Sequence, residues 1–430
     1  MHPFKIFIFA FLILALSLIY RWQKMQAGSL QITPLEVALN EPSDSVSFSE
    51  KTDSSRNIAI DTMHTFFDYL PDSSLNGFIG KLKFAKDSVV RMVFFGDSQL
   101  EGDFFTKPVR DSFQQVYGGS GIGYMPADMY FNTTEKVAVI TSDFEKHVVH
   151  FGTDDSVQYG LYGRYFAPTK SIADVTIKNR DEMHRYKKLR ILYSGSAHLT
   201  TNYDDKENIY ELSSHDVSEL EISFMNTPSE LKLRFTVEEH LKLYGFLLDP
   251  GNGVVVDHVP FRGNLNLMLN NFEEESLRQM AGFVKPALVA LQFGLNVIPD
   301  VRNDYSSYRV ALERDIQLLK KYLPGISVVV IGAPDMAHKE NGEMQVYKNI
   351  DLIVESQKEA AINQKVAFWD MRKAMGGNGS VINWVDEDLA RTDYAHLNNR
   401  GAEKVAKLFT KDLFTVIQQN QKMNGGITEK

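Results

Sequence analysis

The chain of 430 residues contains no cysteine. This absence excludes disulfides, thiolate zinc sites, iron–sulfur clusters and cysteine nucleophiles. It also suits an oxidising compartment, where stray thiols would mispair. No long basic run occurs either, and 46 basic against 55 acidic residues give a net charge of −9. Nucleic acid is therefore not an expected partner.

Internal repeats are also missing, and the overall composition is ordinary. Hydrophobic residues make up 43% and charged residues 23% of the chain, as in an average globular protein. A mostly disordered, collagenous or many-span membrane protein is thereby excluded. The length suits two domains, or one large domain that carries an insertion.

The N-terminal segment differs from the rest of the chain. Residues 6–20 form an unbroken apolar run, IFIFAFLILALSLIY, between Lys5 and Arg21. A membrane-spanning helix needs roughly 20 apolar residues, and a secretory signal needs fewer. Because no small-residue cleavage site follows closely, we expect an uncleaved signal anchor over residues 1–24, with a cleaved signal as the alternative. Residues 25–57, rich in Ser, Asp, Glu, Pro and Thr, predict a flexible tether.

Most of the remaining chain alternates between strand-like and helix-like segments. The predicted strands are apolar runs at residues 89–95, 253–259, 287–293, 327–331 and 366–369. The predicted helices cover residues 104–117, 265–283, 305–322, 343–363 and 399–418. Strands that alternate with helices indicate a parallel sheet covered by helices on both sides.

The middle of the chain has a different pattern. Leu220, Ile222 and Phe224 alternate with polar residues, and so do four apolar residues between 231 and 237. This period of two is typical of antiparallel strands with one wet face. We therefore expect an α/β domain made of residues 58–124 and 251–430, split by a β-rich insertion at residues 125–250.

Polar motifs follow several of the predicted strands, where the sites of open α/β sheets gather. Gly96-Asp97-Ser98-Gln99 follows the first strand. A serine on such a tight turn points outward, and its own N–H can face a developing oxyanion. Gly263 follows the next strand, where a glycine lets the backbone approach a substrate closely. Each motif alone could equally be a simple turn.

Two further motifs complete the set. Asn296 follows the third strand, where its amide can donate to an oxyanion or cap a turn. His396 lies just before the last helix and can act as a general base, with Asp393 three residues earlier as its partner. Asp386 and Asp388 are alternatives for that acid, and a local cap with a surface histidine is the simpler interpretation.

The four motifs together resemble the SGNH, or GDSL, superfamily of esterases and acyltransferases. Its four blocks supply a serine, a glycine, an asparagine and a histidine, which here match Ser98, Gly263, Asn296 and His396. The chain is most similar to bacterial peptidoglycan O-acetylesterases, which carry a carbohydrate-binding-module-like β-sandwich between the serine and glycine blocks. The resemblance implies a flavodoxin-like, three-layer parallel-sheet SGNH domain with an inserted β-sandwich, preceded here by the membrane anchor helix.

Two positions depart from the pattern of this superfamily. The third block usually continues with an acid after the asparagine, and Val297 stands there instead. Gln99 stands where a leucine or a histidine is common. The first departure affects the geometry of the loop more than the chemistry, and the second leaves the substrate class open.

The resemblance implies a serine-dependent carbohydrate O-acyl esterase, O-acetyl above all, that acts on an envelope or extracellular polysaccharide such as peptidoglycan. Ser98 is then the nucleophile, His396 the base and Asp393 its partner, while Ser98, Gly263 and Asn296 form the oxyanion hole, and neither metal nor cofactor is required. One alternative is an O-acetyltransferase that uses the same site beside a membrane-bound acyl-supplying protein. The other is a non-catalytic polysaccharide-binding protein.

The same interpretation implies a location for the protein. We expect a protein of the bacterial cell envelope, anchored in the inner membrane with its catalytic domain in the periplasm.

His147 and His150 lie in an apparent strand and point to opposite faces, so a metal site there is not expected. Tyrosines of the insertion, such as Tyr159 and Tyr162, either stack on sugar rings or pack in the core.

Overall fold

The structure is a computed structural model that describes residues 65–128, 136–149, 157–180 and 186–425. The expected anchor, residues 1–24, and the expected tether, residues 25–57, lie outside the described residues. Within the described part, no helix is long and apolar enough to cross a membrane.

The described residues form both strands and helices. The strands are β1 (Phe67–Tyr69), β2 (Val89–Gly96), β3 (Gly123–Met125), β4 (Val137–Ser142), β5 (Phe144–Val148), β6 (Arg164–Pro168), β7 (Ile172–Asn179), β8 (Lys188–Tyr203), β9 (Lys206–Ser223), β10 (Glu230–Asp249), β11 (Gly253–Pro260), β12 (Leu288–Gln292), β13 (Ser327–Ile331), β14 (Ala337–Glu340), β15 (Glu343–Val346) and β16 (Ala367–Trp369). The helices are α1 (Asn76–Leu82), α2 (Thr106–Tyr117), α3 (Glu274–Val284), α4 (Ser306–Tyr322), α5 (Ile350–Asn363), α6 (Met371–Met375), α7 (Ser380–Asp386) and α8 (Asn399–Gly425).

The predicted parallel sheet is present. Its strand order is β1-β16-β13-β12-β2-β11, and all neighbours are parallel except β1, which runs antiparallel to β16. Numbered along the chain, the five parallel strands have the order 2-1-3-4-5, which is the flavodoxin-like order. The strands are apolar because both faces are covered; β2, for example, is buried from Val90 to Gly96.

Helices cover both faces of this sheet, which gives three layers. Along β2, Met92 and Phe94 pack into a core with α2 and α8, while Val93 and Phe95 pack into a second core with α3 and α4. Successive side chains of a strand point to opposite faces, so one apolar run can supply both cores.

Two predicted helices begin later than the sequence pattern indicates. Residues 265–273 form a loop with one 3₁₀ turn before α3, because the buried carboxylate of Asp315 binds their backbone N–H groups. Residues 343–346 form β15, which pairs with β14 as a hairpin before α5 begins. Tertiary contacts override the apolar spacing at both places.

The inserted part is antiparallel β structure, as the alternation predicts. Strand β10 is the central strand: it pairs with β8 along its length and with β7, β6 and β3 on its other side. Hydrogen bonds run through all of these strands and on to β4, β5 and β9, so they form one continuous hydrogen-bonded sheet. Register shifts between Val237 and Gly245 mark bulges, which bend a strand.

Buried charges hold the insertion against the parallel sheet. Arg91 on β2 forms ion pairs with Asp249 at the end of β10 and with Asp257 on β11, the latter at 2.6 Å. Tyr162 of the insertion donates its hydroxyl to the same Asp257 at 2.5 Å, and the N–H of Tyr124 donates to it at 2.9 Å. Tyr162 is fully buried there, so it packs in the core and cannot stack on a sugar.

Candidate active site

Ser98 lies on a tight turn at the carboxyl end of β2. The Asp97 carboxylate caps the turn by accepting from the N–H of Gln99 at 3.0 Å, and the N–H of Asp97 donates to Gln292 O on the neighbouring β12 at 3.1 Å. A side chain at Gly96 would come within 2.8 Å of that same Gln292 carbonyl, so only glycine fits. Because β2 lies between β11 and β12, the serine sits at the point where the strand order reverses, the usual ligand site of this sheet type.

The structure joins Ser98, His396 and Asp393 in one hydrogen-bonded chain. Ser98 Oγ lies 2.7 Å from His396 Nε2, and His396 Nδ1 lies 2.9 Å from Asp393 Oδ2. A carboxylate at Nδ1 favours the proton on that nitrogen and leaves Nε2 free to accept from the serine. The carboxylate that contacts His396 is therefore that of Asp393. Asp388, one of the two alternative acids, binds Arg400 at 2.9 Å instead.

Asp393 is kept in its charged form by its surroundings. Partial burial acts to raise the pKa of Asp393, but donors to its two oxygens outweigh that effect and lower the pKa below its usual range. Those donors are the backbone N–H groups of His396 and Ala395, each at 3.0 Å, and the His396 ring. The short loop thus wraps around the carboxylate that orients its own histidine.

Gln99 fixes the loop that carries the histidine, a role that no local sequence pattern indicates. Its Nε2 donates to Ala395 O at 3.0 Å, and its Oε1 accepts from the N–H of Leu397 at 3.1 Å. The two backbone groups flank His396, so one buried side-chain amide holds the histidine from both sides. A leucine at this position, as is common in the superfamily, could make neither bond.

Asp97 connects the serine turn with the loop that carries Asn296. Its Oδ2 accepts from the N–H of Leu295 at 3.0 Å. Burial raises the pKa of Asp97 to about 6, against the hydrogen bonds from Gln99 and Leu295 that lower it. The carboxylate therefore sets the relative position of two motifs that lie far apart in the sequence.

The two other predicted oxyanion residues meet in neighbouring loops. Asn296 donates its amide to Asn264 O at 3.0 Å, which joins its loop to the loop of Gly263. An asparagine amide has two N–H groups, so a second donor remains for a ligand. Gly263 has a φ of +83°, a conformation that favours glycine.

Val297, one of the two departures from the pattern of the superfamily that the sequence resembles, has a packing explanation. Its side chain is buried in a small apolar cluster with Ile298, Tyr305 and Ile350. A carboxylate at this position would be placed among apolar groups without a partner, which is unfavourable. The apolar residue thus suits the loop geometry found here.

Metal-binding groups do not cluster in the described part of the chain. No set of three or more His, Asp or Glu side chains there is arranged to hold a metal ion. His147 stacks on Tyr165 with ring centroids 4.6 Å apart, and His150 lies outside the described residues.

Comparison with solved structures bears on the fold. A peptidoglycan O-acetylesterase superimposes with a TM-score of 0.69 and 19% identity, over 83% of this chain and 99% of that one. The chain therefore has the fold of that enzyme, as the resemblance to peptidoglycan O-acetylesterases implies.

Other solved structures match more weakly. A family two carbohydrate esterase from Clostridium thermocellum in complex with cellohexaose matches with a TM-score of 0.29 and 10% identity, over 57% of this chain and 91% of that one. The acetylxylan esterase Axe2 from Geobacillus stearothermophilus matches with a TM-score of 0.29 and 19% identity, over 38% and 73%. No family model and no curated protein sequence matches the chain.

Proposed function

We propose that this protein is a serine esterase that removes O-acetyl groups from a carbohydrate of the cell envelope, such as peptidoglycan. The observation that carries the proposal is the chain Ser98 Oγ–His396 Nε2 at 2.7 Å and His396 Nδ1–Asp393 Oδ2 at 2.9 Å. It lies at the ligand edge of a flavodoxin-like sheet. The fold shared with a peptidoglycan O-acetylesterase supports the substrate class.

The geometry supports acyl transfer through serine. Ser98 Oγ attacks the acetyl carbonyl carbon while His396 Nε2 takes the serine proton. The N–H groups of Ser98 and Gly263 and the amide of Asn296 stabilise the oxyanion. His396 then gives the proton to the sugar oxygen, which leaves as a hydroxyl, and the acetyl group stays on Ser98. Water, deprotonated by His396, attacks this ester and releases acetate; Asp393 stabilises the imidazolium at each step.

A transferase would use the same acetyl-enzyme. A sugar hydroxyl would then take the place of water, and a membrane-bound protein would supply the acyl group. Every residue named above would keep its role, so the site gives this alternative no separate support. A non-catalytic binding protein would have no need for a serine held 2.7 Å from an oriented histidine, and we favour the enzyme for that reason.

The nucleophile is tested by Ser98→Ala. We expect hydrolysis of p-nitrophenyl acetate to fall by roughly a thousandfold or more, since no other group can form the acetyl-enzyme. The melting temperature should barely change, because Ser98 is only partly buried. Ser112→Ala is the matched control: its hydroxyl donates only within its own helix, to Pro108 O at 2.8 Å. Full activity of Ser98→Ala would end the serine mechanism.

We also propose that residues 1–24 anchor the protein in the inner membrane with the catalytic domain in the periplasm. The apolar run at residues 6–20 and the polar segment after it support this proposal. Alkaline phosphatase, a reporter active only in the periplasm, should be active when fused after Lys430. An inactive fusion beside an active cytoplasmic reporter at the same position would overturn both the orientation and the envelope substrate.

A further inference from the structure

A pocket of about 530 Å³ lies beside the predicted oxyanion hole. One wall is the loop after β11, at residues 263–271, and the other is the segment after β12, at residues 297–311. Gly263 and Asn264 belong to the wall, and Asn264 O is the acceptor for Asn296. An ester held against Gly263 and Asn296 would therefore place a neighbouring part of the substrate at the mouth of this pocket.

The first wall is fixed by a buried carboxylate. Asp315 on α4, with no exposed surface, accepts from the amide of Asn266 at 2.6 Å and from three successive backbone N–H groups at 2.8–3.2 Å. Within this stretch Met268, which lines the pocket, has a φ of +55°. Such a conformation persists only where the surroundings enforce it, so the loop has one defined shape.

The second wall is fixed by a buried phenol. The hydroxyl of Tyr305 donates to Asp300 O at 2.7 Å and accepts from the N–H of Arg302 at 3.0 Å. The amide of Asn349 donates to the same oxygen at 2.5 Å. Both walls are thus ordered before any ligand arrives, which lowers the entropic cost of binding.

The lining favours an uncharged ligand with an amide group. The charges at the pocket, Asp300 and Arg302, pair with each other at 2.6 Å. Met268, Tyr308 and Ala311 supply apolar surface, while asparagine side chains such as Asn270 offer both donors and acceptors. An acetamido group has a methyl, an N–H and a C=O, and so matches a lining of this kind.

We propose that this pocket binds the acetamido group of an N-acetylated sugar in the glycan whose O-acetyl ester reacts at Ser98. The proposal rests on the proposed function for the identity of the glycan. It deepens that function by assigning specificity for amino sugars to the segment between β11 and α4. Glycans that lack the acetamido group would leave the pocket unfilled and bind more weakly.

Binding measurements test the pocket without any need for catalysis. The full-length chain is titrated calorimetrically with tetra-N-acetylated chitotetraose (called chitotetraose below) and with cellotetraose, two neutral oligomers that differ only in the acetamido or hydroxyl group at carbon 2. We expect chitotetraose to bind at least about tenfold more tightly, as one or two additional hydrogen bonds allow. The O-acetylated forms of the two oligomers should show the same preference in kcat/KM.

Two neighbouring residues of α4 give a matched pair of variants. Ala311 lines the pocket, and Ala311→Phe fills it; Val310 is 56% exposed and lies outside the lining, so Val310→Phe adds the same ring elsewhere. We expect Ala311→Phe to abolish the preference for chitotetraose and Val310→Phe to retain it. If Ala311→Phe does not fold, Ser307→Trp, at an exposed lining position, replaces it.

The outcomes separate the pocket from the enzyme activity. Equal binding of the two oligomers by the unmodified protein would overturn the acetamido assignment, and a preference that survives Ala311→Phe or Ser307→Trp would overturn the location. If the unmodified protein fails to hydrolyse p-nitrophenyl acetate, the proposed esterase function fails, while the calorimetric result still decides whether the pocket binds acetamido sugars.

Discussion

Replacing Gln99 is the most informative single change at this site. The side chain makes two hydrogen bonds, to Ala395 O at 3.0 Å and from the N–H of Leu397 at 3.1 Å, and it touches none of the reacting atoms. Gln99→Leu keeps nearly the same volume but removes both bonds. It therefore tests whether the position of His396 depends on this amide.

The expected magnitude follows from the groups left behind. A buried backbone group without a partner costs about 1–3 kcal/mol, and Gln99→Leu creates two of them. The loop keeps its bonds to Asp393 and the bond from Arg391 N to His396 O at 2.8 Å, so it can relax. We expect a loss of about 2 kcal/mol in unfolding free energy. A shift of His396 by about 1 Å should lower kcat roughly a hundredfold.

The assay combines kinetics with chemical labelling. On p-nitrophenyl acetate, kcat should fall while KM stays nearly constant, since Gln99 acts on the base and not on the ester. The rate at which a fluorophosphonate labels Ser98 should fall in parallel, because labelling needs the same activated hydroxyl. Gln99→Glu keeps an acceptor for the N–H of Leu397 but at neutral pH places a buried carboxylate oxygen against Ala395 O, so its kcat should fall at least as far as that of Gln99→Leu.

A second glutamine separates positioning from general stability. Gln114 on α2 also bonds two backbone groups, Gly121 O at 2.8 Å and Val254 O at 2.9 Å, away from the site. Gln114→Leu should lower the unfolding free energy and leave kcat and the labelling rate unchanged. If Gln99→Leu behaves in the same way, or keeps full kcat, then Gln99 does not position the histidine.

Two further predictions concern neighbouring loops. Asn296→Ala should lower kcat by roughly a hundredfold with KM nearly unchanged if the amide holds the oxyanion; a lower melting temperature with normal kcat would reject that role. Burial raises the pKa of Asp315 to about 6, against hydrogen bonds from residues such as Asn266 that lower it. The folded protein then loses stability as the pH rises from about 4 to about 6, so in urea unfolding the free energy of the unmodified protein relative to that of Asp315→Asn should decrease over this range and level off above it.

The parallel strands could be predicted from the sequence because each strand is a local signal, whereas their flavodoxin-like order was expected from the family resemblance. Five apolar runs separated by helical periods leave few arrangements for a parallel sheet, and the polar motifs that follow them necessarily gather at one edge. The contact of Ser98 with His396, 298 residues apart, follows from that topology. The helical spacing over residues 265–283 misled for the opposite reason, because the distant carboxylate of Asp315 accepts the backbone N–H groups of Leu267, Met268 and Leu269 and keeps this part out of the helix.

What the sequence could not show are pairings between distant residues. Gln99 looks like an ordinary residue after a nucleophile, and nothing local marks Ala395 and Leu397 as its partners. From the sequence, Tyr162 could equally be a sugar-stacking ring or a core residue. Its buried hydrogen bond to Asp257 in the structure decides between the two. Local patterns therefore indicated which residues belong to the candidate site, whereas the pairings that hold those residues in place could be seen only in the structure.

Arg91 shows how such a pairing links the insertion with the site. It interrupts an apolar strand, and its two carboxylate partners lie 158 and 166 residues further along the chain. Asp249 ends the insertion and Asp257 belongs to the next strand of the parallel sheet, so the guanidinium joins both to the strand that leads to Ser98. If the insertion tilted away from the sheet, Arg91 would keep only Asp257 and Asp249 would keep only Arg190, so the buried ion pair that joins the two parts would be lost. The inserted sheet is thus held in one orientation relative to Ser98.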